Sequence, residues 1–318
     1  MNSSSTPIKA RVVGVDVAKD TVVLHDLSSR QTMTVSNTLE ALMIALAAYG
    51  SDDLLVCEVT GGYERVTLQA ALNLHVPAHR ADPSRVKSFI RSHGGLAKTD
   101  GIDARWLAQY GQERGPSLAR WQARSVDRDT LAGLVRHRRD LVAQRVQASN
   151  RRGAPGVGKL APFLDAEIAF LEGQIKSLDR AIGELIQGVD ALADDEKKLR
   201  AIPGVGPVVA RALLALIPEL GSLDRRQVAS LAGLAPHPHQ SGISVKGTRT
   251  RGGRRELRPV LFMAAMSAAR SNSELKAFFQ RLTQAGKPKR VAINAIARKI
   301  VVAANAVLRP PTVAEQLT

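Results

Sequence analysis

The sequence predicts an α/β domain followed by a mainly helical remainder. Short β-branched runs alternate with amphipathic helical stretches in the first third of the chain, which suggests a mixed sheet flanked by helices. An apolar repeat with alternating four- and three-residue steps covers residues 164–192, as in a coiled coil. Beyond it, Gly- and Pro-punctuated turns separate further apolar helices. Domains are therefore expected at 1–124, 125–198 and 199–318.

The 318 residues suffice for two or three domains with a real core. Lys and Arg total 45 against 29 acidic residues, a formal net charge of +16 with a pI near 10.6. That balance implies a polyanionic partner, most simply nucleic acid, and the excess of arginine over lysine favours bidentate phosphate gripping. Aromatic residues make up only 3%, which argues against base-stacking platforms as the main binding device. The single cysteine, Cys57, excludes an intrachain disulfide framework and a zinc site built on several thiolates. No apolar run is long enough to span a bilayer, and residues 1–7 lack a basic region followed by an apolar one. No membrane partner or secretion signal is expected, and the protein is expected in the cytoplasm, on the nucleoid when bound to DNA.

Val12, Val13, Val15 and Val17 form the first strand, with Asp16 in its middle. Asp is a poor strand former, and an unpartnered buried carboxylate is costly. A metal ion or cation is expected beside it; a structural Asp bonded to turn amides is the alternative. Strands follow at 21–25 and 32–35, then a helix over 38–49, capped by Ser36 or Asn37 and stopped by Gly50. The apolar strand 54–57 runs into Glu58, and Thr60-Gly-Gly62 turns the chain into a helix carrying Val66, Leu68, Ala70, Ala71 and Leu72. A brief strand at 76–79 precedes a helix opened by Pro83. Asp100 and Asp103, three apart at the start of the next helix, share one helical face. They also resemble a capping box. Set beside Asp16 and Glu58, they make four carboxylates able to converge on Mg²⁺, or Mn²⁺, a hard cation that takes oxygen ligands.

Residues 125–198 change character. Arg136, His137, Arg138, Arg139, Arg145, Arg151 and Arg152 make the first part a basic helix with an apolar seam of Leu134, Val135, Leu141 and Val142. After a break at 153–162, the heptad Leu164, Ile168, Leu171, Ile175, Leu178, Ile182, Leu185, Val189, Leu192 favours a two-stranded coiled coil. An intramolecular antiparallel hairpin with the basic helix competes with it. The break itself, Gly153-Ala-Pro-Gly-Val-Gly-Lys159, satisfies G-x-x-x-x-G-K. It is not an ATP loop, because Leu160 stands where a hydroxyl is needed and no strand precedes it.

Ile202-Pro-Gly-Val-Gly-Pro207 leading into a helix suggests half of a helix-hairpin-helix, with Gly204 and Gly206 exposing amides to phosphate. A plain inter-helix turn is the alternative. Ser241 sits in a turn-rich loop, followed by Arg249, Arg251, Arg254, Arg255 and Arg258. The tail reads as two apolar helices, 261–269 and 291–308, joined by Gly286-Lys-Pro-Lys-Arg290.

The phrases Gly14-Val-Asp-Val-Ala-Lys19, Cys57-Glu-Val-Thr-Gly-Gly-Tyr-Glu64, Ala97-Lys-Thr-Asp-Gly-Ile-Asp-Ala104, Ile202-Pro-Gly-Val-Gly206, Ala232-Gly-Leu-Ala-Pro236, Gln240-Ser-Gly242, Leu257-Arg258 and Gly286-Lys287 run in order along nearly the whole chain. In them the chain resembles the insertion-sequence recombinases with an N-terminal DEDD domain and a C-terminal serine-bearing transposase domain, a family that includes the Piv-type invertases. It departs from the pattern at Gly252-Gly253, where Gly-Asn is frequent, and at Val59, where Ala is common.

The resemblance implies a RuvC-like, RNase H-like fold whose metal-holding carboxylates are Asp16, Glu58, Asp100 and Asp103, with Ser241 as nucleophile. It implies donor and target double-stranded DNA as substrates, a structured non-coding bridge RNA as guide, and a homo-oligomer, dimer or tetramer. Candidate nucleic-acid contacts are Lys98, Arg105, Arg138, Arg139, Arg151, Arg152, Gly204, Gly206, Lys246, Arg249, Arg251, Arg254, Arg255, Arg258 and Lys287. Rival readings are a RuvC-type nuclease using water, an invertase working without RNA, an actin-like ATPase and a non-catalytic scaffold. The ATPase lacks further Gly-rich phosphate loops, and a scaffold leaves the four carboxylates unexplained.

Overall fold

A computed structural model of the chain describes residues 10–94, 103–123, 125–241, 244–250 and 252–310. It divides into two compact units, Met1–Ala123 and Arg124–Thr318.

The first unit contains β1 (Val12–Val17), β2 (Thr21–Asp26), β3 (Thr32–Ser36), α1 (Leu39–Leu46), β4 (Leu54–Glu58), α2 (Glu64–Asn73), β5 (Ala78–Ala81), α3 (Pro83–Ser92) and α4 (Ala104–Arg114). The sheet order is β3-β2-β1-β4-β5. β2 runs antiparallel to β1 and β3, whereas β1, β4 and β5 are parallel. Strand alternation sorts the core. Val13, Val15 and Val17 pack with Leu42, Leu46 and Leu68 on one face. Val12 and Val56 pack with Phe89, Leu107 and Tyr110 on the other. The first helix begins later than expected. Thr38, not Ser36 or Asn37, is its cap and accepts from the Ala41 N–H. Asn37 is engaged elsewhere, with the carbonyls of Ala18, Lys19 and Tyr63.

The second unit contains α5 (Val126–Arg152), α6 (Ala161–Gln187), α7 (Asp190–Arg200), α8 (Pro207–Leu216), α9 (Arg225–Leu231), β6 (Pro236–Ser241), β7 (Ser244–Thr250), α10 (Leu257–Ser271), α11 (Ser273–Gln284) and α12 (Lys289–Val307). α5 and α6 form an antiparallel hairpin. Its ion pairs run in opposite chain directions: Arg138–Asp179, Arg145–Glu172, Arg151–Glu167 and Arg152–Asp165. Of the two arrangements open to the heptad, the structure shows the intrachain one. Leu171 and Ile175 cluster with Leu141, and Ile182 and Ile186 join a larger core with Leu131 and the later helices. The seam is also split, because Gly188 ends α6 before Leu192 is reached. The segment 153–159 joins two helices.

α9 and α11 were not expected. Each is announced by a cap: Asp224 and Gln227 form a capping box, and Asn272 accepts from the Leu275 N–H. The segment around Ser241 is not an irregular loop but an antiparallel pair, running from Pro236↔Thr250 to Ser241↔Ser244 with a register shift between Pro238 and Gln240. Among the described residues no helix is long and apolar enough to cross a membrane.

Candidate metal centre and nucleic-acid interface

Gly14 and Asp16 share the β1 face that receives α4. A Cβ on Gly14 would lie 1.8 Å from the Ala104 carbonyl oxygen and 2.4 Å from the Ala108 nitrogen. Only glycine lets the first turn of α4 rest on the strand. That contact brings Asp103, the N-cap of α4, to the strand end that carries Asp16. Glu58 comes from the adjacent parallel strand. β1 and β4 pair up to Val15↔Cys57, and Asp16 and Glu58 are each the next residue, on the same face.

The electrostatics record this convergence. Burial, then the Asp103 charge, pushes the Asp16 carboxyl above its ordinary value. Burial pushes Glu58 up too, with the Asp16 and Asp82 charges adding and Lys87 opposing. Both are half-buried, and among the described residues neither has a salt-bridge partner. Half-buried carboxylates that hold their charges poorly, side by side, suit a hard divalent cation.

The expected four-carboxylate set is not complete among the described residues. No group of three His, Cys, Asp or Glu side chains there is arranged to hold a metal ion. Asp100 and Lys98 lie outside the described residues. Asp103 is exposed, and its Oδ1 accepts from the Arg105 and Trp106 N–H groups, so it is itself the N-cap of α4, whereas the expected capping box put it at the third helical position. Its Oδ2 makes no hydrogen bond among the described residues.

Two residues beside this site carried no expectation of a role in it. Glu64 is fully buried: its Oε2 accepts from the Thr60 N–H, the Thr60 hydroxyl and the Gly62 N–H, and its Oε1 pairs with Arg80 of β5. Burial alone would raise its pKa, but the amides and Arg80 outweigh burial and hold it below its ordinary value. The loop after Glu58 is thus fixed by an ionised carboxylate. Asn37 binds the same loop at Tyr63. A Glu at the end of the Gly-Gly turn was the visible signal for Glu64; nothing local marks Asn37. Cys57, fully buried with its thiol pushed up to about 12 by burial, is part of the core.

In the second unit Ser241 is the last residue of β6, directly across from Ser244. Lys246 and Arg249 belong to β7, and Arg251 lies outside the described residues. Five of the ten candidate phosphate-binding arginines are paired within the chain. Arg254 makes a two-pronged bridge to Glu219 and donates to the Leu216 carbonyl, and Arg139 pairs with Glu256. Arg138, Arg151 and Arg152 pair across the helical hairpin. Arg105, Arg255 and Lys287 are exposed, and Arg258 keeps a buried Nε without a partner among the described residues. Gly204 has φ +82°, and a Cβ there would meet the Ala264 carbonyl oxygen at 2.4 Å. Its role in the α7–α8 turn is close packing on α10, whereas Gly206 faces open space.

The sheet order, with carboxylates on its two central parallel strands, fits the RNase H-like class of DNA-processing enzymes. A DEDD-type IS110 family model, described as "Transposase", matches residues 13–154. One described as "Transposase IS116/IS110/IS902 family" matches residues 196–280. The chain is 31% identical over 311 residues to the pilin gene-inverting proteins of Moraxella lacunata and Moraxella bovis, covering 93% of this chain and 95% of each of those. It is 24% identical to the transposase for insertion sequence element IS1111A of Coxiella burnetii, over 73% of this chain and 70% of that one. The chain belongs to the IS110/IS116/IS902 family of transposases.

Proposed function

We propose that the chain is a DNA recombinase that cuts and rejoins DNA through a phosphoserine link on Ser241, with Asp16, Glu58, Asp100 and Asp103 holding Mg²⁺ or Mn²⁺. The observation that carries the metal half is the paired position of Asp16 and Glu58, with Asp103 at the helix end packed on Gly14. The chemistry a divalent ion supplies there is polarisation of the scissile phosphate and stabilisation of charge on the attacking and leaving oxygens. Asp16 and Glu58 bind and orient. Ser241 Oγ attacks phosphorus and loses its proton as an O–P bond forms. The P–O bond to one deoxyribose breaks, and that sugar leaves as a hydroxyl. Attack by a sugar hydroxyl of another strand reverses the step, so phosphodiester energy is kept without ATP.

Guidance by a structured RNA and a homo-oligomeric assembly belong to the same reading, as the family resemblance implies, and the net charge of +16 suits a nucleic-acid partner. A second reading, site-specific inversion without RNA, is favoured by the full-length similarity to the pilin gene-inverting proteins. The test is incubation with Mg²⁺ and cognate flanking DNA, with and without flanking RNA, then a denaturing gel. Wild type and Ser244→Ala should show a protein–DNA adduct and Ser241→Ala none. An adduct without RNA favours inversion. Cut DNA with free ends from Ser241→Ala would establish a water-dependent nuclease instead.

A further inference from the structure

The geometry points to Asn37 as a positioning residue for the carboxylate pair: its side-chain amide ties the turn after Asp16 to the loop after Glu58, so that the two strand ends keep one spacing for a divalent cation. The inference rests on the metal reading given above. Asn37 lies just past β3, and its backbone N–H donates to the Asp20 carbonyl at 2.9 Å. Its Nδ2 donates to the Ala18 carbonyl at 2.9 Å and lies 3.3 Å from the carbonyls of Lys19 and Tyr63. Ala18 and Lys19 lead out of β1 two and three residues beyond Asp16. Tyr63 closes the loop that starts after Glu58. Among the described residues no other side chain hydrogen-bonds to both segments.

The chemistry at position 37 is specific. Two amide hydrogens face three carbonyls, so a carboxylate of the same shape would repel all of them. The Oδ1 of the same amide is buried without a partner among the described residues, an arrangement that costs stability and marks a constraint other than packing. Glu64 grips the same loop from within through Thr60 and Gly62, next to the Tyr63 carbonyl that Asn37 holds. At the opposite end, the strand pair is tied by a different device. Arg11 donates through its backbone N–H and Nε to Asp53 Oδ1 and through a terminal nitrogen to Oδ2. That pair stabilises β1 and β4 without touching either loop beside the carboxylates, which makes Arg11→Ala a matched control.

The experiment titrates Mn²⁺ into the full-length protein without DNA, reading free Mn²⁺ by electron paramagnetic resonance, and melts each variant in parallel. Wild type should bind saturably and Asp16→Asn should not. Asn37→Ala should melt cooperatively yet bind about tenfold more weakly, the lower end of what loss of a group supporting metal ligands costs. Arg11→Ala should melt at a lower temperature and bind as wild type does. If Asn37→Ala does not melt cooperatively, Asn37→Ser, which keeps a donor, carries the same comparison. Wild-type affinity in the Asn37 variant, or an equal loss in Arg11→Ala, overturns the positioning role. Equal binding by wild type and Asp16→Asn overturns the metal reading beneath it, and does so before any Asn37 comparison is made.

Discussion

At Gly14 a single methyl group would occupy the backbone of α4, so Gly14→Ala must push the helix off the strand. Overpacking of this kind costs about 1–3 kcal/mol or more. Denaturant unfolding should show that loss, and Mn²⁺ affinity should fall with it because Asp103 moves with the helix. Asp16 offers the opposite case. Its folded pKa is raised by burial and by the Asp103 charge, so the folded state holds its proton to higher pH than the unfolded chain. That contribution to stability is complete below the ordinary carboxylate pKa and is lost as pH rises through the raised value. In metal-free protein Asp16→Asn should therefore melt above wild type at pH 7, with the gap closing below about pH 4. A variant less stable than wild type at pH 7 would show that the Asp16 charge is compensated. Asp16 was legible because a carboxylate inside a β-branched run is chemically out of place. Asn37 was not, since its partners are backbone carbonyls of two segments that converge only after the strands pair. Glu64 shows only through its place after the Gly-Gly turn, and its partner Arg80 arrives with β5.

The helical hairpin shows what a repeat can and cannot specify. The heptad correctly marked the buried stripe, including Leu164, Leu171, Ile175 and Ile182. A seam has the same spacing whether its partner is a second chain or the preceding helix, and here it is α5. Carboxylates on α6 at positions complementary to the α5 arginines were the sequence's only hint of that choice. Ile175→Glu should accordingly lower the melting temperature by placing a charge among Leu141 and Leu171, while leaving the mass in light scattering unchanged. A fall in mass with an intact fold would assign the seam to self-association. The strands around Ser241 were hidden for a different reason. Pro236 and Pro238 argue against a strand, and among the described residues β6 pairs only with β7, so no longer apolar pattern betrays the pair. α9 and α11 are short or partly polar, and their caps were the sole local signals.

Net charge belongs to the whole chain, and it identifies a polyanionic partner without saying which surface meets it. The structure divides the basic residues into two kinds. On α5, Arg151 and Arg152 face Glu167 and Asp165, so a phosphate must displace a carboxylate to reach them. At the α11–α12 turn, Lys287, Lys289 and Arg290 are exposed and have no salt bridge among the described residues. The turn is built for this. Gly286 takes φ +76°, and the Lys287 and Gly286 amides close back onto the Leu282 and Thr283 carbonyls, a helix stop that throws the next residues outward. The motif Gly286-Lys287 thus has a structural half and a charged half. Each phosphate contact releases counterions, so the slope of log binding constant against log salt counts contacts, at about 0.9 per phosphate on duplex DNA. Replacing Lys287, Lys289 and Arg290 by alanine should flatten that slope by about 1 for each contact removed and weaken binding to all DNA sequences alike. Replacing Arg151 and Arg152 should change the slope much less, because the wild-type charges are already matched within the hairpin. The measurement is fluorescence anisotropy of labelled duplex DNA across a salt series, with Asp16→Asn as the reference that should leave the slope near wild type. A steeper loss from the α5 pair than from the α11–α12 turn would move the duplex-facing surface to the hairpin and show that its ion pairs open for phosphate.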